Sequence, residues 1–121
     1  MKPKKVLVVD DSKLLHRIYD LLLRGCVVVH AADGVEGLER LAQNPEVDLV
    51  LLDLNMPRMN GLDFLAKVRS DPAKLGLAVI IITTEGKAAD TERGLKAGAT
   101  AYLNKPFRNE ELLAVIERLP V

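Results

Sequence analysis

Five short apolar runs alternate along the chain with five amphipathic stretches, and this alternation constrains the fold more than any other feature. The runs are rich in β-branched residues, which favours strands over buried helices. Apolar strands that alternate with amphipathic helices are typical of a parallel sheet covered on both faces. The predicted strands are Lys5–Asp10, Cys26–Ala31, Asp48–Asp53, Leu77–Thr83 and Thr100–Leu103. The sequence therefore predicts a doubly wound α/β fold with a five-stranded parallel sheet.

The residues at the ends of the amphipathic stretches mark the helices. Ser12 is a candidate N-cap of the first helix, and Gly25 and Gly98 follow the first and the fourth. The predicted helices are Lys13–Arg24, a second from Asp33-Gly34 to about Gln43, Leu62–Ser70, about Ala88–Ala97 and Asn109–Leu119. No repeat or linker interrupts this pattern, so we expect one domain over residues 1–121.

The composition excludes several classes of partner. Lys and Arg number 17 and balance 17 Asp and Glu, so the chain lacks the basic excess of a nucleic-acid-binding protein. The single cysteine, Cys26, precludes an internal disulfide and fits a reducing cytosol. No apolar run approaches the length of a transmembrane helix. We therefore expect a cytoplasmic protein without a nucleic-acid or membrane partner.

Polar side chains stand at the ends of four of the predicted strands. Asp10 ends the first and Asp11 follows it, Asp53 ends the third, Thr83 ends the fourth and Lys105 follows the fifth. In an open parallel sheet, residues at the carboxyl ends of the strands line one crevice. Carboxylates about 4 Å apart repel each other by about 4 kcal/mol at an intermediate dielectric, and a hard divalent cation relieves this repulsion. The pattern therefore predicts a Mg²⁺ site.

The same crevice has the groups that phosphoryl transfer needs. Asp53 is the candidate nucleophile, because carboxylates form acyl phosphates with metal assistance. Lys105 offers a positive charge to a phosphoryl oxygen, or to Asp53 when the site is empty, and Thr83 offers a hydroxyl donor. We interpret His16, on a helix, and His30, within a strand, as ordinary surface or core histidines rather than ligands.

Four motifs occur in order over nearly the whole chain: VLVVDDS, LVLLDLNMPRMNGLDFL, IIITTEG and AGATAYLNKPF. Together they resemble the receiver domain of two-component response regulators. The resemblance implies a flavodoxin-like fold with strand order 2-1-3-4-5. It implies that Asp53 is the phosphoacceptor, that Lys105 contacts the phosphoryl group and that the Lys105-Pro106 peptide is cis. The implied metal ligands are Asp11, Asp53, the backbone carbonyl of Asn55 and, through water, Asp10.

The resemblance also implies a switch and its partners. Thr83 is expected to move toward a new phosphoryl group on Asp53, and Tyr102 is expected to follow inward. The phosphoryl donor would be a histidine kinase, and the fourth helix, fifth strand and fifth helix would form the face that binds a downstream target. Asn55 and Glu85 match the pairing of chemotaxis-type regulators, whereas Thr84 stands where the family generally has Ala or Gly. Such a domain is a monomer or a phosphorylation-dependent dimer.

Other functions remain open at this stage. An aspartate-dependent phosphohydrolase of the haloacid dehalogenase kind also uses aspartate, lysine and Mg²⁺, but places its nucleophile after the first strand as D-x-D, whereas Asp10 and Asp11 are adjacent. A flavodoxin-like cofactor binder would have a first loop rich in Ser, Thr and Gly. A receiver used only as a binding scaffold is disfavoured by the complete acidic set. The chain is either a stand-alone regulator or a piece of one with an output domain.

Overall fold

Five parallel strands form the sheet at the centre of the molecule. The structure is a computed structural model that describes residues 2–54, 56, 58–84 and 88–120, except the side chains of residues 88–91. The strands are β1 (Lys5–Val9), β2 (Val27–Ala31), β3 (Leu49–Leu52), β4 (Ala78–Thr84) and β5 (Ala101–Lys105). Their order in the sheet is β2-β1-β3-β4-β5, and every neighbouring pair is parallel. The predicted fold class and strand order are confirmed.

Helices follow each strand, and local side-chain caps fix where three of them begin. The helices are α1 (Lys13–Leu22), α2 (Gly34–Gln43), α3 (Gly61–Arg69), α4 (Ala88–Lys96) and α5 (Asn109–Arg118), with a short 3-10 helix at Pro72–Lys74. The side chains of Ser12, Asp33 and Asn60 accept hydrogen bonds from backbone N–H groups in the first turns of α1, α2 and α3. These bonds satisfy donors that have no partner within the helix.

The structure corrects some predicted boundaries. The first helix ends at Leu22 rather than Arg24, because a hydrogen-bonded turn from Leu23 to Cys26 leads directly into β2. The fifth strand extends past Leu103 to Lys105, where it still pairs with Thr84 of β4. Lys105 therefore belongs to the strand itself, whose backbone pairing holds it in place.

Alternate residues of each strand face two separate cores. Val6 and Val8 of β1 pack in the core that α1 and α5 cover, whereas Leu7 and Val9 pack in the core that α2 and α3 cover. All four side chains are fully buried. A strand buried on both faces has no polar position, which explains why the apolar runs are continuous.

The strand register brings the predicted site residues to one edge of the sheet. Val9 of β1 lies opposite Leu52 of β3, so the residues that follow them, Asp10 and Asp53, are neighbours. The backbone N–H of Asp53 donates to the carbonyl oxygen of Val9 at 2.9 Å and continues the pairing by one residue. On the other side, Lys105 lies opposite Thr84.

Two further expectations concern the backbone and the helices. The Lys105-Pro106 peptide bond is cis, as the resemblance implied. Within the residues that the structure describes, no helix combines the length and the apolar character needed to cross a membrane.

Candidate functional site

Three carboxylates meet at the carboxyl edge of the sheet. Asp10 and Asp53 are buried, with 2% and 6% of their surface exposed, whereas Asp11 is exposed. One carboxylate oxygen from each of Asp10, Asp11 and Asp53 lies within 4.8 Å of the others. The structure thus brings together the three acidic side chains that the sequence assigned to one site.

Lys105 crosses the edge of the sheet and provides the positive charge. Its Nζ lies 2.8 Å from Oδ2 of Asp10 and 3.6 Å from Oδ2 of Asp53. The expected partner was Asp53, but the shorter contact is to Asp10. Both distances are within the range of an ion pair, so Lys105 pairs with the two buried carboxylates together.

The second oxygen of Asp10 is also occupied. The backbone N–H of Ser12 donates to Oδ1 of Asp10 at 2.8 Å, while Lys105 donates to Oδ2. These two bonds orient the Asp10 carboxylate and connect the end of β1 to the start of α1. Asp10 is therefore positioned by one local bond and by one bond from the distant strand β5.

The charges of this cluster do not balance. Ionised Asp10, Asp11 and Asp53 contribute three negative charges, and Lys105 contributes one positive charge. A divalent cation would neutralise the excess, and a site with only oxygen ligands suits a hard ion such as Mg²⁺. The chemistry of the three carboxylates thus fits Mg²⁺. Asn55, whose carbonyl was the fourth expected ligand, lies outside the described residues, as does Glu85.

Thr83 and Tyr102 lie on the two strands beyond Asp53. Thr83 is buried on β4, and the next residue, Thr84, is exposed. Tyr102 is half-buried on β5 and packs against the core beneath α2 and α3. Its hydroxyl is buried and has no hydrogen-bond partner among the residues that the structure describes. The Tyr102 ring thus already packs inward in this structure.

A close backbone approach explains the glycine that begins α3. The N–H of Gly61 donates to the carbonyl oxygen of Leu54 at 3.0 Å. A Cβ atom at Gly61 would collide with the carbonyl oxygen of Asp53 and lie 2.8 Å from Cα of Leu54. Because these are backbone atoms, relief would require the end of β3 to shift. Gly61 therefore keeps Asp53 in position.

Tyr19 lies beneath the acidic cluster. Its ring is fully buried and stacks on Phe107, with 6.0 Å between the ring centroids. Burial raises the pKa of Tyr19, and the negative charges of Asp10 and Asp53 raise it further. Its hydroxyl has no hydrogen-bond partner in the described part of the chain. Tyr19 therefore stays neutral and forms an apolar floor for the site.

The loop that follows Asp53 is tied to α2 by an ion pair that the sequence did not predict. Nε of Arg58 donates to Oδ2 of Asp33 at 2.7 Å, and its Nη2 donates to Oδ1 at 3.1 Å. Arg58 adopts a positive φ of 63° in this loop. Hydrogen bonds from Arg58 and from the backbone N–H of Glu36 lower the pKa of Asp33. The sequence placed Asp33 at the start of the second helix, but no local pattern identified Arg58 as its partner.

Comparisons with known proteins identify relatives over nearly the whole chain. The sequence model of the response regulator receiver domain matches residues 6–117. Chemotaxis protein CheY1 of Helicobacter pylori is 42% identical over 116 residues, which are 93% of this chain and 94% of that protein. Sensor histidine kinase CheAY of the same species is 34% identical over 116 residues, covering 93% of this chain and 14% of the kinase. The structure of chemotaxis protein CheY4 of Vibrio cholerae matches with a TM-score of 0.89 and 34% identity, over 97% of this chain and 98% of that one.

The lowered pKa of Asp33 predicts a pH-dependent contribution of Arg58 to stability. A carboxyl group whose pKa is lowered by folding stabilises the protein fully when the pH is above the ordinary pKa of about 3.9. This stabilisation is lost as the pH falls through the lower pKa that the group has in the folded state. The Arg58→Gln variant removes the main cause of the shift. We expect Arg58→Gln to lower the free energy of unfolding, measured with urea and relative to wild type, by more at neutral pH than at about pH 3.

The control for this measurement is Arg24→Gln, which removes the same charge from the exposed turn after α1. It should change the free energy of unfolding by a small amount at both pH values. An Arg58→Gln effect of the same size at neutral and acidic pH would contradict the role assigned to the pair.

Proposed function

Because the chain belongs to the response regulator receiver family, we propose that Asp53 accepts a phosphoryl group from a phosphohistidine while Asp10, Asp11 and Asp53 hold Mg²⁺. The chain is a receiver domain of phosphorylation-dependent signalling, not a classical enzyme. The observation that carries the proposal is the convergence of three carboxylates with Lys105, whose Nζ is 3.6 Å from Asp53. The phosphohydrolase alternative is not favoured, because the family and structural matches are to response regulators.

The proposed transfer is a displacement at phosphorus. A carboxylate oxygen of Asp53 forms the new P–O bond as the P–N bond of the phosphohistidine breaks, and the leaving imidazole nitrogen takes up a proton from water. When bound, Mg²⁺ would neutralise charge on the carboxylates and on the phosphoryl oxygens. Lys105 would release Asp10 and donate to a phosphoryl oxygen on Asp53. This requires only a short movement, because Nζ already lies between the two carboxylates.

Thr83 and Tyr102 are the proposed switch. The hydroxyl of Thr83 would donate to the new phosphoryl group, which supplies acceptor oxygens that an unmodified Asp53 lacks. The expected inward movement of Tyr102 would then be small, because its ring already packs against the core beneath α2 and α3. Phosphorylation shifts the equilibrium between the inactive and active conformations only to the extent that it favours the active one. A change in the ratio of active to inactive molecules from 1:99 to 99:1 requires a preference of about 5.5 kcal/mol.

The proposed partners are a histidine kinase and a protein target. CheY-like receiver domains interact with histidine kinases, and the match to the sensor kinase CheAY places a similar segment within such a kinase. For the target, we propose the face made by α4, β5 and α5. Tyr102 and Lys105 both belong to β5, so movement of either residue would alter this face.

The first test is phosphotransfer to Asp53. Incubation with Mg²⁺ and a phosphorylated histidine kinase should increase the intact mass of the wild-type protein by one phosphoryl group, and removal of Mg²⁺ should prevent the gain. The Asp53→Asn variant should show no gain, because an amide is not an effective nucleophile. The matched control is Asp63→Asn, which changes an exposed carboxylate on α3 and should behave as wild type. Wild-type labelling of Asp53→Asn would show that another residue is the acceptor.

The second test concerns the switch and uses neighbouring threonines. Thr83→Ala should still be phosphorylated, but changes in the backbone amide NMR shifts of β5 and α5 on phosphorylation should be at least about twofold smaller than in wild type. Thr84→Ala, at the exposed neighbouring position, should give the wild-type changes. If both variants respond like wild type, Thr83 does not transmit the signal.

A further inference from the structure

The two histidines of the chain lie against each other outside the acidic cluster. His16 is on α1 and His30 is on β2, and both are half-buried. Their Nδ1 atoms are 2.5 Å apart, and the rings meet edge to face with 4.6 Å between centroids. Because the chain contains only these two histidines, every imidazole of the protein is in this pair.

The outer nitrogen of each ring is already engaged by an oxygen acceptor. Nε2 of His16 lies 2.6 Å from the backbone carbonyl oxygen of Asp10. Nε2 of His30 lies 2.9 Å from the carboxylate oxygen Oδ1 of Asp20. A carbonyl and an ionised carboxylate only accept hydrogen bonds, so each Nε2 carries the hydrogen. In the neutral rings, both Nδ1 atoms then present lone pairs.

Two lone pairs directed at each other repel, and a cation between them removes this repulsion. We propose that His16 and His30 chelate a divalent transition metal ion, of the Zn²⁺ or Cu²⁺ class, through their Nδ1 atoms. Imidazole is the ligand that such ions prefer, whereas the oxygen-only cluster of Asp10, Asp11 and Asp53 suits Mg²⁺. The proposed site is therefore chemically distinct from the phosphoacceptor site, and water would complete its coordination.

Asp20 would support this site without binding the ion, because its carboxylate accepts a hydrogen bond from the other ring nitrogen of His30. Metal-binding histidines commonly donate their other N–H to a carboxylate, which orients the ring and strengthens its ligand nitrogen. The Asp20–His30 contact has this arrangement, and the carbonyl of Asp10 serves His16 in the same way. Both rings are thus held with Nδ1 facing the partner ring.

The pair can adopt metal-binding distances with a small movement. Zn–N bonds of about 2.0–2.1 Å in a tetrahedral site place two ligand nitrogens about 3.4 Å apart. The Nδ1 atoms must therefore separate by roughly 1 Å from their 2.5 Å distance. The side chain of His30 is 36% exposed, so its ring has room to turn toward solvent.

The test is a calorimetric titration with Zn²⁺. The protein carries no polyhistidine tag, and saturating Mg²⁺ is present throughout. We expect the wild-type protein to bind one Zn²⁺ per chain. Relative to wild type, the affinity for Zn²⁺ should fall by about tenfold or more in His30→Gln and by about tenfold in Asp20→Asn. Cys26→Ser, which removes the only thiol of the chain, should bind as wild type. Binding that saturating Mg²⁺ abolishes, or that His30→Gln leaves unchanged, would overturn the proposal.

A spectroscopic measurement counts the imidazoles directly. Pulsed electron paramagnetic resonance of the Cu²⁺-loaded protein, again in saturating Mg²⁺, detects the remote nitrogen of each coordinated imidazole. Two imidazoles should couple to the ion in wild type and one in His30→Gln. A signal from one imidazole or none in the wild-type protein would show that a proton, rather than a metal ion, lies between the rings, and the proposal would fail. Neither measurement depends on phosphorylation of Asp53.

Discussion

The contact between Lys105 and the buried carboxylates is the interaction on which the site depends. Lys105 comes from the edge strand β5 and reaches Asp10 at the end of β1, and Asp53 lies at the end of β3, one of the two strands between them. One ammonium group thus compensates two buried carboxylates while the exposed Asp11 adds a third negative charge. This excess of negative charge favours a divalent cation and, with the cation present, a phosphoryl group. The site is assembled by the sheet, whose register is fixed by two apolar cores.

Much of this arrangement follows from local sequence signals. Continuous apolar runs identify strands buried on both faces, and parallel pairing then forces the strand ends to one edge. These signals predicted that Asp10 and Asp53 lie at the same edge, whereas the family resemblance alone implied that β1 and β3 are adjacent. Ser12 was predictable as a helix cap, because an N-cap depends on residues only three positions apart. In each of these cases, backbone pairing or a single turn determines the position.

The remaining features depend on contacts between distant parts of the chain. Lys105 and Asp10 are 95 residues apart, and no local pattern shows that Lys105 lies closer to Asp10 than to Asp53. Arg58 and Asp33 meet across 25 residues through one long side chain. His16 and His30 were interpreted as ordinary histidines because they occupy different elements, and only the packing of α1 on β2 brings them together.

The stability of the apo and Mg²⁺-bound protein tests most directly whether the acidic side chains repel each other and require a cation. Urea unfolding should be measured for wild type and Asp11→Asn, in chelator and in Mg²⁺. In chelator, Asp11→Asn should be the more stable protein, because it carries one negative charge fewer at the crowded edge. In Mg²⁺ at a hundred times its dissociation constant from wild type, the free energy of unfolding of wild type should rise by about 2.7 kcal/mol and that of the variant by less, so that the advantage of the variant shrinks. A wild-type protein that Mg²⁺ leaves unchanged, and that is more stable than Asp11→Asn in chelator, would contradict this account.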